Sequence, residues 1–194
     1  LAGMPESWRG RVGLVQNELL PPDWEVHGIV DPTVVAVWFM KKAGDHVHVV
    51  RPSQVHGPAS GLVESACYEM NIPCQRLKTE DDLLFGLALK NTYILTLNIS
   101  GLQVGGTAGA LWADHRELAE RVAREVIALQ AALARKPLPA DRLLAELAQA
   151  IADRPEQPCT GRSAPGRLAR ALDHAGRLEV EVPELTRIHR AQDS

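Results

Sequence analysis

The apolar positions change their period once along the chain, and the change divides the sequence in two. Up to about residue 58 the apolar runs are short and β-branched, as strands are. Residues 11–17 (RVGLVQN) make one run of strand length and residues 33–41 (TVVAVWFMK) a second, while residues 45–51 (DHVHVVR) alternate polar with apolar. Lys42-Ala43-Gly44-Asp45 supplies turn residues between the last two and predicts a hairpin. Pro21-Pro22 and Pro52 mark loops.

Beyond Gly57-Pro58 the period lengthens to that of a helix. Residues 59–71 are expected to be helical, with Leu62, Val63, Ala66, Cys67 and Met70 on one apolar face. Residues 72–77 fit one more short strand, and everything after them reads as helix. Thr79 followed three residues later by Asp82 has the form of a capping box and opens a long helix, with a break expected at Ser100-Gly101. A second N-terminus at residues 114–117 begins an amphipathic run to Arg135, closed by Pro137 and Pro139. On that run Leu118, Val122, Val126, Leu129 and Leu133 form one stripe, read as intramolecular core with a dimer seam as the alternative. Residues 140–153 and 163–176 give two more helices, and a short helix or turn lies beyond Glu181. The fold class is therefore α+β: a small mixed sheet, then an all-helical domain, with the boundary near residue 79.

Composition narrows the classes of partner. With 45% hydrophobic and 23% charged residues in 194, the chain is an ordinary globular sequence. Its net charge of -3, with Lys and Arg interleaved among acids, speaks against nucleic acid. Residues 83–112 carry a single charge, Lys90, but also Asn, Thr, Ser, Gln and several glycines, so a buried core helix is expected there and no membrane span. The three cysteines, Cys67, Cys74 and Cys159, have no metal-ligand spacing and read as buried free thiols in a reducing, cytoplasmic setting. Residues 1–10 hold no apolar core of the kind a signal peptide needs.

The chemistry-bearing positions lie on the apolar helix. Lys90, Ile94 and Asn98 fall at i, i+4 and i+8, with Asn91 in line with Asn98. A lysine and two asparagines among Leu, Phe and Ile cost free energy to bury without partners. They line a polar cleft, or they bond the backbone of neighbouring helices. Gly101, Gly105, Gly106 and Gly109 do not make a phosphate loop, because the spacing is wrong and a helix precedes them. Close packing or helix termination is their expected role.

Lys90 and Asn98, followed by a small-residue segment, resemble the active-site helix of ketopantoate reductase-like proteins, whose C-terminal part is a helical domain of the 6-phosphogluconate dehydrogenase type. Val15-Gln16-Asn17 is similar to that family's strand-end Gln-Asn beside the nicotinamide. Residues 55–59 (VHGPA) resemble its loop after the late sheet strands, and residues 182–187 (VPELTR) its C-terminal Val-Pro segment. The resemblance implies that residues 1–78 are the truncated end of a Rossmann-like nucleotide-binding domain and that 79–194 are the helical domain.

It further implies NADPH-dependent reduction of a 2-oxo acid, with Lys90 as the proton donor, Asn98 orienting the substrate and Asn17 contacting cofactor and substrate. The Lys90 ammonium and the Asn98 amide would then project together into a solvent-reachable cavity. A homodimer is a further expectation. The first βαβ units, with the glycine-rich loop, would lie outside these residues or on another chain.

Three positions depart from the family pattern. Ile94 stands where a second asparagine is usual, and Glu18 follows Gln-Asn where glycine is usual. Ser163 stands where a substrate-binding glutamate is expected, and with Pro165 just behind it, it also reads as a helix N-cap. These departures favour the competing reading, a non-catalytic binding or dimerisation module on the same scaffold.

Other candidates have plainer readings. His46 and His48 point the same way along a strand, but no third ligand is near, so no metal is expected. Arg162 and Arg167 flank Ser163 and suit a carboxylate or phosphate, or simply a solvated helix surface. The four tryptophans, spread singly, read as core or interface anchors.

Overall fold

A computed structural model describes residues 1–16, 18–41, 44 and 46–192. The chain divides into two compact units, Leu1–Lys90 and Asn91–Ser194. A short 3₁₀ segment, Glu6–Arg11, precedes the first strand.

In the first unit a four-stranded sheet has the order β1-β2-β5-β6, from Gly13–Gln16, Thr33–Ala36, Ser53–His56 and Cys74–Arg76. β1 and β2 are parallel, joined through the short helix α1 (Pro21–Glu25), with Gly13 opposite Thr33 and Gln16 opposite Ala36. β5 and β6 are also parallel, joined through α2 (Ser60–Glu69), with Ser53 opposite Cys74. The two pairs meet antiparallel at β2 and β5. All four residues of β2 are buried, as befits a central strand covered on both faces. Trp24, Ile29 and Leu20 are buried with it.

The hairpin is present as β3 (Phe39–Lys41) and β4 (Val47–Val49), paired antiparallel in a sheet of their own. Of the turn expected between them only Gly44 is described, with φ +78°, and the other three residues fall outside the described set. Residues 33–41 are not one strand. The chain leaves the four-stranded sheet after Ala36 and enters the hairpin at Phe39, because Trp38 N–H donates to Ser53 Oγ at 3.0 Å instead of continuing a ladder. Trp38 is buried there, with the Arg51 guanidinium 5.6 Å above its ring.

On α2 the expected apolar face is mostly uncovered. Cys67 is buried, but Leu62 is 74% and Met70 57% exposed. Periodicity placed these residues on a common side, and that side is covered only in part, at buried Cys67 and half-buried Val63.

The long helix α3 spans Glu80–Val104 and begins in the first unit, its N-terminus capped by Thr79: Asp82 N–H donates to Thr79 Oγ1 at 3.1 Å, and the Thr79 hydroxyl donates to Asp82 Oδ2 at 2.8 Å in place of the backbone contact that completes a capping box. It is long and apolar enough to cross a membrane, yet 83% of its most apolar window is buried within the protein. It does not break at Ser100-Gly101. It runs on to Val104 and stops at Gly105 and Gly106, whose φ values of +63° and +74° favour glycine. Gly101 serves packing: a Cβ there would lie 2.7 Å from both the Cβ and the carbonyl oxygen of Cys159.

The second unit continues with α4 (Ala108–Asp114), which the sequence did not separate from its neighbours, then α5 (Arg116–Ala134) and α6 (Ala140–Asp153). Two further helices follow, α7 (Ala164–Leu178) and α8 (Pro183–Gln192). The α5 stripe is consumed inside this unit. Leu118, Val122, Val126 and Leu129 are buried in one cluster with Leu168, Leu185 and Ile188, and Leu133 packs against it half-buried. That disposes of the α5 stripe as a dimer seam. α8 starts at Pro183, where the missing N–H costs nothing, and its first free amides are taken by a carboxylate from α5. Glu125 accepts from Glu184 N at 2.8 Å and from Leu185 N at 3.0 Å.

Candidate active site

Lys90 lies in the first unit on α3. Its side chain is 5% exposed, and its ammonium donates to the carbonyl oxygen of Val37. Val37 is the residue after β2, and because β1 and β2 are parallel, that carbonyl sits at the carboxyl edge of the pair. In open α/β sheets this edge is where ligands bind. One turn earlier, Gly86 faces the side-chain amide of Gln54 on β5, which a Cβ at that position would push aside. A buried amine needs polar company, and this main-chain carbonyl provides part of it.

Asn17 lies outside the described residues. Glu18 is described, and its φ is +75°. The side chain departs from glycine, but the backbone keeps the left-handed turn that glycine favours.

The polar residues of α3 beyond Lys90 belong to the second unit. Asn98 is half-buried, and both ends of its amide are engaged: Nδ2 donates to the Cys159 carbonyl at 3.4 Å, and Oδ1 accepts from Arg167 Nη1 at 2.6 Å. Ile94 is half-buried and Asn91 buried. Ser163 occupies the N-cap position of α7, with proline in the first turn behind it, but its side chain makes no capping bond and is exposed. The structure therefore joins Asn98 to Arg167 and puts Ser163 one turn before Arg167 on α7. Arg162 stays on the surface.

The Arg167 link was not legible, since 69 residues separate the partners and the sequence around Arg167 is that of a solvated helix. Val37 as the lysine's acceptor was equally hidden, because any carbonyl can play that part. On α3 beside these residues, burial pushes the Tyr93 phenol up to about 12, so it remains protonated at neutral pH. Cys159 is likewise pushed up by burial, to about 11.

The His46 and His48 rings stand 4.0 Å apart, and no group of three metal-ligating side chains occurs among the described residues. Trp24 and Trp38 are core residues, Trp8 is exposed, and Trp112 is half-buried beneath Arg116.

No family model and no curated protein sequence matches the chain. Solved structures do. The 2-dehydropantoate 2-reductase of Methylococcus capsulatus superposes over 93% of this chain with a TM-score of 0.62 at 14% identity. The fold is that of the ketopantoate reductases. The enzyme of Porphyromonas gingivalis W83 matches over 95% of the chain, with a TM-score of 0.59 at 12% identity. A D-mandelate dehydrogenase solved with NADH matches over 94%, with a TM-score of 0.63 at 11% identity, and 69% of its own chain is covered. The present chain spans 64% of the length of each of the two reductases. The small mixed sheet and the helices after it thus follow a ketopantoate reductase-like fold over nearly all of these 194 residues.

Proposed function

We propose that this chain forms the larger part of an NADPH-dependent reductase of a small 2-oxo acid, of the ketopantoate reductase type, with residues 79–194 as its substrate-side helical domain. The observation that carries the proposal is the position of Lys90. The Lys90 side chain is buried, and its amine donates to the Val37 carbonyl at the carboxyl edge of β1 and β2. In this reading the ammonium gives a proton to the substrate's carbonyl oxygen as the carbonyl is reduced, and it steadies the alkoxide that develops. Asn98 orients the substrate, Ser163 contacts it with an exposed hydroxyl, and contact with the cofactor is assigned to Asn17.

A nicotinamide nucleotide, when bound, supplies the hydride. The residues present do not fit its pyrophosphate, because no two glycines in the sequence are separated by a single residue and a G-x-G loop is therefore impossible. That loop is assigned to a segment other than these, on the same polypeptide or on a partner. The ketopantoate reductase of Staphylococcus aureus is described as dimeric, and a homodimer is the assembly we assign here.

The test is titration of the intact native protein with NADPH, followed by fluorescence, with and without a panel of 2-oxo acids. Binding and turnover are expected, and Lys90→Ala is expected to lower turnover by about 10²–10⁴-fold with little change in Tm. Absence of NADPH binding rejects the reductase. A variant that unfolds marks Lys90 as structural.

One observation favours the other reading, a non-catalytic module. The Asn98 amide is already occupied at both ends by Arg167 and Cys159. On that reading neither nucleotide nor oxo acid alters the fluorescence.

A further inference from the structure

Both ends of the Asn98 amide are engaged, yet half of its hydrogen-bonding capacity is not. A carboxamide carries two N–H donors and two acceptor lone pairs. Asn98 uses one of each, Nδ2 donating to the Cys159 carbonyl at 3.4 Å and Oδ1 accepting from Arg167 Nη1 at 2.6 Å. The second N–H and the second lone pair have no partner among the described residues. Residues 91–101 of α3 are all buried except Ile94 and Asn98, so the amide stands on the one strip of that stretch that solvent reaches.

Two contacts decide which way the amide faces. A guanidinium can only donate and a main-chain carbonyl can only accept, so turning the amide over would set donor against donor and acceptor against acceptor. The contacts are unequal. A 2.6 Å bond from a charged donor is strong, whereas 3.4 Å lies beyond the usual N–H···O range. The orientation therefore depends chiefly on Arg167. Arg167 in turn sits on a packed element. Its N–H donates to the Ser163 carbonyl at 2.9 Å, and Leu168, the next residue on α7, is buried in one cluster with Leu95 and Ile99 of α3. A side chain clamped in this way keeps a single geometry, as a substrate-orienting group must.

We propose that Arg167 is a positioning residue that acts through Asn98. It holds Oδ1, so that the second Nδ2 hydrogen is presented to an oxygen of the bound 2-oxo acid in one fixed direction. This rests on the reductase reading, in which Asn98 orients the substrate. The guanidinium acts by setting that direction, without touching the substrate itself. Such a role asks for one charged N–H donor and no planar fork, so lysine can stand in for arginine.

The experiment measures NADPH-dependent turnover by the intact native protein on the 2-oxo acid it reduces fastest. Wild type is compared with Arg167→Met, Arg167→Lys, Asn98→Ala and the double variant of Asn98→Ala with Arg167→Met. Arg167→Met keeps an unbranched, helix-compatible side chain without a donor. It is expected to lower kcat by about 10–10²-fold while KM stays within about threefold. Arg167→Lys should return kcat to within about threefold of wild type. In the Asn98→Ala background, Arg167→Met should lower kcat by less than about twofold more, because the amide it served is gone. An unchanged kcat in Arg167→Met overturns the role, and so does a raised KM alone, which would make Arg167 a plain substrate contact. Equal losses in the two backgrounds overturn it too, since Arg167 would then act independently of Asn98. A wild type that reduces no 2-oxo acid sinks the reductase reading and this role with it, and that result appears before any variant is made.

Discussion

The two units of this chain treat the same kind of helical pattern differently. In the second unit α5 buries four of its five stripe residues, and among the described residues Leu178 is that unit's one large apolar side chain left exposed. In the first unit the apolar side of α2 is written as clearly in sequence, yet Leu62 is 74% and Met70 57% exposed, and Val15, Val26 and Val30 are exposed as well. Periodicity specifies which residues share a face. Whether the face is covered depends on neighbours, and the second unit has α7 and α8 to lay against α5, while α2 meets chiefly the edge pair β5 and β6.

A pair of truncations tests this contrast most sharply. Leu185→Ala removes a side chain with no exposure from the second unit's core and is expected to cost about 2–5 kcal/mol. Leu62→Ala should stay within about 0.5 kcal/mol. Urea unfolding measures both, and a large loss at Leu62 would show that the α2 face is covered in solution. The next effect belongs to Gly101→Ala, where the added methyl meets the Cys159 backbone at 2.7 Å. Overpacking against main chain is expected to cost about 1–3 kcal/mol, read as a fall in Tm. An unchanged Tm would mean that α3 and the Cys159 segment separate easily.

The smallest effect is one of pH. The Arg187 side chain first, and then Arg121, hold the Glu184 carboxyl below its ordinary value of 4.5. A depressed carboxyl stabilises the fold above its unfolded pKa, and that contribution is lost as pH falls through the folded one. Wild type should therefore lose more Tm than Glu184→Gln between pH 5 and pH 3, by differential scanning calorimetry. Equal losses would leave Glu184 without a part in securing α8.

Local chemistry was legible in the sequence wherever it decided the structure. Residues 140–153 form a helix with the expected bounds because prolines precede it and the apolar period is strong. Thr79 and Asp82 cap α3 because capping needs only three residues of separation. What remained hidden was settled at a distance. Ser100-Gly101 looked like a break, but these small residues let α3 lie against Cys159, so the helix continued to the glycine pair that does adopt left-handed angles. Residues 33–41 split in two because Ser53 captured the Trp38 amide. At the candidate site the lysine and the asparagine were legible as misplaced polar groups. Their partners Val37 and Arg167 were not, since nothing in an amide carbonyl or a surface arginine announces its contact.

Asn98 and Gly101 stand three residues apart on α3 and both meet the Cys159 carbonyl, one by a hydrogen bond and the other by close approach. The stretch before α7 is therefore fastened to α3 at a single main-chain oxygen from two sides. Pushing that oxygen away from the glycine would release the asparagine amide as well.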